Sequence, residues 1–78
     1  MHAEPGGLSA LSARELQIAE LVSDGNTNRQ IARALALSEK TVETYLSRTF
    51  VKLGVPSRAA VARIVVEASL HSGAPTVA

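Results

Sequence analysis

TNRQIARALALSEKTVETYLSRTFVKL, residues 27–53, is the stretch whose reading decides the fold. It divides into two short helical patterns with almost no chain between them. In the second, Val42, Tyr45, Leu46, Thr49 and Leu53 fall on one side at helical spacing. Lys40, Glu43, Thr44 and Ser47 fall on the other, with Arg48 beside them. A helix with one apolar side buries that side and leaves the other free. A free face of hydrogen-bonding groups suits a DNA major groove, where base edges present donors and acceptors. The pattern predicts a helix-turn-helix.

The flanking sequence supports helices on both sides. Thr27 and Gln30 have capping-box spacing, which opens a second helix with Ile31, Ala32 and Leu35 inward. Ser38 is placed to cap the third, with Leu37 stapling onto Val42. Only Ala36 and Leu37 remain between the two, so the pair must cross steeply. No glycine helps that turn. Upstream, Ser12 and Glu15 form another capping box, and Leu11 and Leu16 stand at staple positions. Ile18, Leu21 and Val22 recur at core spacing in this first helix, and Gly25 is a natural stop.

Downstream, Gly54 ends the third helix, and Pro56-Ser57 opens a fourth that runs to about Leu70 and closes at Gly73. That helix has two apolar stripes. Val61, Ile64, Val65 and Ala68 form one; Ala59, Ala62, Val66 and Leu70 lie nearly opposite. The first stripe covers the core of the other helices. The second has nowhere to go in a monomer of this size, so a helix-to-helix homodimer is expected.

Seventy-eight residues allow one domain: a lead-in over residues 1–9, the helical domain over 10–71 and a tail over 72–78. The absence of cysteine removes disulfides and thiolate zinc sites, so helix caps, a partner subunit or DNA must matter more than usual. Net charge is only +1, but its distribution is uneven. From residue 48 onward, Arg48, Lys52, Arg58 and Arg63 face a single acid, Glu67, which allows a local positive footprint. His2 and His71 lie near opposite ends and make no metal or catalytic pair; Glu15 and Glu20 read as a cap and a surface acid. No phosphate loop or nucleophile set is present, so neither enzyme activity nor a cofactor is expected. No apolar run is long enough to span a bilayer and no signal peptide opens the chain, so a cytoplasmic location at the bacterial nucleoid is expected.

Several separated blocks carry a family resemblance. Leu11-Ser12-x-Arg14-Glu15, Gly25-x-Thr27-Asn28-Arg29-Gln30-Ile31-Ala32, Leu37-Ser38-x-Lys40-Thr41-Val42 and Lys52-Leu53-Gly54-Val55-x-Ser57-Arg58 resemble the LuxR/FixJ-type helix-turn-helix domain of bacterial transcription regulators. The resemblance implies an all-α, four-helix fold without a wing, usually placed behind a receiver or ligand-sensing domain. It implies groove-facing roles for Lys40, Glu43, Thr44 and Ser47. It implies phosphate-contacting or scaffold-supporting roles for Thr27, Asn28, Thr41, Tyr45, Arg48 and Lys52, and a dimer contact on the fourth helix. Three positions depart from the family's habit: Glu43 stands where lysine is common, Tyr45 where histidine is, and Thr49 where an aliphatic is. A carboxylate near phosphates is unfavourable unless it accepts from cytosine N4 or pairs with a neighbour such as Lys40 or Ser47. Because glutamate reads bases more rarely than arginine does, a merely tolerated Glu43 is the expectation, and its replacement by lysine would then leave the consensus unchanged.

Sequence-specific DNA binding as a homodimer is the leading expectation. A protein-interaction or dimerisation module of the same fold, with DNA affinity weakened by Glu43, is the alternative. A sigma-factor-like domain fits the Lys52–Val55 block and the fourth helix less well. A plain helical bundle explains the apolar faces but not the short turn and polar outer face together.

Overall fold

A computed structural model describes residues 7–72, with side chains through Leu70. A short 3-10 turn (Leu8–Ala10) precedes four α-helices: α1 (Ala13–Ser23), α2 (Asn28–Leu35), α3 (Glu39–Leu53) and α4 (Arg58–Ser72). Among the described residues there is no strand, and no helix is long and apolar enough to cross a membrane. The all-α, four-helix architecture is the expected one. The proposed stop at Gly73, the end of the tail and His2 lie outside the described residues, as does the side chain of His71.

Each helix starts where a side chain can satisfy a backbone donor. Ser12 Oγ accepts from the Glu15 N–H at 3.1 Å while Glu15 Oε1 accepts from the Ser12 N–H at 2.8 Å, completing the box at α1. Thr27 and Gln30 repeat it at α2, at 3.1 and 2.8 Å. Ser38 Oγ accepts from the Thr41 N–H at 3.0 Å, and Ser57 Oγ from the Ala60 N–H at 3.3 Å.

Three helices end in one motif. At α1 the Gly25 N–H reaches Val22 O and the Asn26 N–H reaches Leu21 O. At α2 the pairs are Ala36 to Arg33 and Leu37 to Ala32; at α3 they are Gly54 to Val51 and Val55 to Phe50. This paired closure turns the residue just past the helix into the left-handed region. Gly25 (φ +91°) and Gly54 (φ +68°) adopt it freely, but Ala36 is there too, at φ +58°, ψ +44°. The two-residue turn therefore forms without glycine, at the steric cost of one Cβ against its own carbonyl.

Ile18, Ala19, Val22, Ile31, Ala32, Val42, Leu46, Leu53 and Val61 form a single buried core. α1 packs against both α3 and α4, and α2 packs on α3. The inward side of α3 is as expected: Val42, Leu46, Thr49 and Leu53 are buried, and Tyr45 is half-buried. Thr49 is accommodated because its hydroxyl donates to the Tyr45 carbonyl at 2.9 Å, within its own helix.

Two expectations need correction. Leu8, assigned to the lead-in, packs on the core, and the turn that carries it touches α3 and α4. On α4, Ala62 belongs to the core side rather than the outward stripe. It lies next to Val61 and Val65 around the helix, and α4 buries a broader arc than one stripe because it lies chiefly along α1. Ala59 is exposed, as are Val66 (49%) and Leu70 (74%).

Replacing Ala36 by glycine relieves the left-handed strain but adds freedom to the unfolded chain. The strain is the larger of the two, so Ala36→Gly should stabilise the domain by roughly 0.5–1 kcal/mol. Urea denaturation followed by circular dichroism checks this; a loss of stability would mean that the turn is unstrained.

Candidate nucleic-acid interface

The outer side of α3 is bare. Lys40, Glu43, Thr44, Ser47 and Arg48 are all exposed, as the spacing predicts. One further residue belongs to this stripe: Val51 follows Lys40, Thr44 and Ser47 at helical spacing and is 80% exposed. The same count that placed the other three would have found it.

What each group offers follows from the bonds it has already made. Thr44 Oγ1 donates back to the Lys40 carbonyl at 3.2 Å, so its hydroxyl proton is already engaged within the helix. Arg48 lies against the Tyr45 ring, its guanidinium carbon 5.8 Å from the ring centroid, so a half-buried aromatic steadies an exposed cation. Thr41 Oγ1 accepts from the Ser38 hydroxyl at 2.9 Å, and Thr27 Oγ1 accepts from the Gln30 N–H. Each threonine hydroxyl thus keeps its own proton to give.

Arg58, read from the sequence only as part of a positive footprint and of a family-like block, has a bracing position at this site. Standing at the first position of α4, it donates from Nη2 to the Asn26 carbonyl at 2.6 Å and from Nη1 to Asn28 Oδ1. A guanidinium has no acceptor, so the Asn28 atom facing it must be the oxygen, and the Asn28 NH2 points elsewhere. No protein group takes that NH2 among the described residues. Thr27, Asn28 and Thr41 therefore present donors around the start of α2 and α3, the complement of acceptor-only phosphate oxygens. The contact spans thirty residues, and nothing local in the sequence signals it.

Lys52 is engaged on the opposite side. Its Nζ lies 2.7 Å from Glu15 Oε1, and the Glu15 side chain is only 4% exposed. The Lys52 ammonium first, then the Ser12 N–H, hold the Glu15 carboxyl below the ordinary glutamate range, against the opposing effect of burial. The positive footprint expected from Arg48, Lys52, Arg58 and Arg63 is accordingly redistributed. Lys52 serves Glu15, Arg58 serves the α1–α2 loop, and Arg63 lies 3.9 Å from Glu67. Of those four cations, Arg48 alone has no hydrogen bond or ion pair within the described domain. Lys40, Arg29 and Arg33 are the other exposed ones without such a partner.

A cleft of about 350 Å³ runs between the start of α2 and the outer side of α3, lined by Asn28, Glu43, Leu46, Ser47, Phe50 and Arg58. A protruding polar helix, a second helix braced behind it and hydrogen-bond donors at the junction define the helix-turn-helix class of nucleic-acid-binding domain. Residues 9–65 match the family described as bacterial regulatory proteins, luxR family, and the chain belongs to it. A putative transcriptional regulator of Pseudomonas aeruginosa is 50% identical over 52 residues, 67% of this chain and 25% of that protein. The DNA-binding transcriptional activator DevR/DosR of Mycobacterium tuberculosis is 43% identical over 60 residues, 77% of this chain and 28% of its own length. The transcriptional regulatory protein TdiR of Thauera aromatica is 38% identical over 64 residues, covering 82% and 28% respectively. The chain thus spans about a quarter of the length of these relatives.

The Glu15–Lys52 pair has a defined pH signature. Because the folded pKa of Glu15 is depressed, its contribution is complete above the unfolded glutamate value. It is lost as pH falls through the lower folded one. Lys52→Met keeps the aliphatic stem and removes the charge; it should cost roughly 1–2 kcal/mol at neutral pH. The gap between parent and variant should close at an acid pH below the depressed folded pKa of Glu15, where the carboxyl is protonated in both states. An equal gap at both pH values in denaturation experiments would exclude the ion pair as its source.

Proposed function

We propose that this domain binds double-stranded DNA sequence-specifically, with α3 in the major groove, as the effector part of a bacterial transcription regulator. The observation that carries the proposal is the free polar side of α3, exposed along its whole length while the opposite side forms the core. Lys40, Glu43, Thr44 and Ser47 face base edges in this reading. Thr27, Asn28, Thr41 and Arg48 meet phosphates, with Tyr45 supporting Arg48 and Arg58 orienting Asn28. Lys52 contributes to the scaffold and only through it to DNA. The relatives' greater length supports a further sensory or receiver domain in the regulator of which this domain is the DNA-binding part.

A single module of this kind buries only roughly 600–1,000 Å² on DNA, which rarely gives tight specific binding. Val66 and Leu70 stand exposed on the outer side of α4, with Ala59 beyond them. Pairing two copies through this stripe brings two recognition helices to half-sites about one helical turn apart, roughly 10 base pairs. The domain therefore acts as a homodimer on a two-half-site operator. The alternative, a protein-interaction module of the same fold, is favoured only by the acid at position 43 and is separated by salt-sensitive binding to duplex DNA.

Arg48→Ala should weaken binding to all duplexes alike and reduce the slope of log affinity against log salt by about 0.9. A loss confined to one base position would make Arg48 a base reader instead. For assembly, Val66→Glu or Leu70→Glu should abolish cooperative binding to a two-half-site duplex while the circular dichroism spectrum stays helical. Undiminished cooperativity in both variants would remove α4 as the pairing surface.

A further inference from the structure

Glu43 is the one acid in the middle of the α3 outer side, and among the described residues no group forms an ion pair with it. Neither Lys40, one turn earlier, nor Ser47, one turn later, makes an ion pair or hydrogen bond with it. Arg58 lines the same cleft, yet both of its terminal nitrogens are occupied by Asn26 and Asn28. The pairing that would make Glu43 an inert surface residue is absent. Its carboxylate is exposed, accepts hydrogen bonds only and points into the space a ligand of this helix would fill.

We infer that Glu43 is a specificity-determining residue that selects a C·G pair, with cytosine toward α3, at one position of each half-site. The inference rests on the reading that α3 occupies a major groove. In that groove guanine offers the acceptors N7 and O6, thymine offers O4, and adenine sets its N7 acceptor beside the N6 donor. Cytosine is the one base whose own major-groove edge carries a donor, N4–H2, and no acceptor. A carboxylate is therefore repelled by guanine and thymine, half-matched by adenine and matched by cytosine. Lys40 on the same side supplies the positive charge that offsets the repulsion between Glu43 and the flanking phosphates. A lysine at position 43 would be free of that repulsion and would prefer guanine, so the acid changes which base is read.

The test uses the full chain and two variants, each selected against a pool of duplexes with randomised positions and then sequenced. The parent is expected to enrich cytosine at one position per half-site. Glu43→Gln, whose amide both donates and accepts, is expected to move that position to adenine, and Glu43→Lys to guanine. In binding isotherms, exchanging that single pair should weaken the parent on the order of tenfold. The readout is base preference and not total affinity, which Glu43→Lys raises through charge alone. Because Glu43 is exposed, circular dichroism should report the same fold for all three. If all three proteins enrich the same base at every position, Glu43 is only tolerated and the inference fails while the DNA-binding reading stands. If no protein enriches any sequence, the groove reading itself fails and takes the inference with it.

Discussion

The carboxylate of Glu15 joins the beginning of α1 to the end of α3, and the placement of the other helices depends on that junction. One oxygen accepts both from the Ser12 N–H and from the Lys52 ammonium, in a side chain almost wholly out of water. A buried carboxylate without such partners costs several kcal/mol, so neither helix end can drift from the other. With its rotation set in this way, α1 turns Ile18, Ala19 and Val22 into the core and receives α4 along its length. α3 is thereby held with its polar side outward. The face available to a ligand is a consequence of where a buried acid finds its counter-ion.

What could be read from the sequence was what depends on neighbours within one helical turn or two. The capping boxes at Ser12–Glu15 and Thr27–Gln30, the stops at Gly25 and Gly54 and the two sides of α3 all belong to this kind. Contacts that the fold alone creates could not be read. For Lys52 the choice between a phosphate contact and a scaffold role stayed open because its partner lies 37 residues away in another helix. Arg58 looked like one more surface cation, although it binds two elements 30 and 32 residues upstream. Ala62 was misassigned for a related reason. The width of the arc a helix buries is set by the helix it lies against, and periodicity marks only the centre of that arc.

The α2–α3 turn lies between these cases. Its length was evident, and so was its lack of glycine, but not how an alanine would manage. Ala36 takes the left-handed conformation because two backbone hydrogen bonds, to Arg33 and Ala32, close only if it does. Ile31 and Ala32 on one side and Val42 on the other are buried in the same core, so hydrophobic burial outweighs a local strain on the order of 1–2 kcal/mol.

The internal use of Lys52, Arg58 and Arg63 bears on how such a domain finds its target. Long-range attraction to a polyanion depends on net charge: Glu15 and Glu67 offset Lys52 and Arg63, Arg58 keeps its charge beside neutral oxygens, and the chain's net charge is only +1. Non-specific affinity for duplex DNA is almost entirely electrostatic, and a slight field adds little to it. The acids that hold Lys52 and Arg63 thus also temper the field that the domain presents.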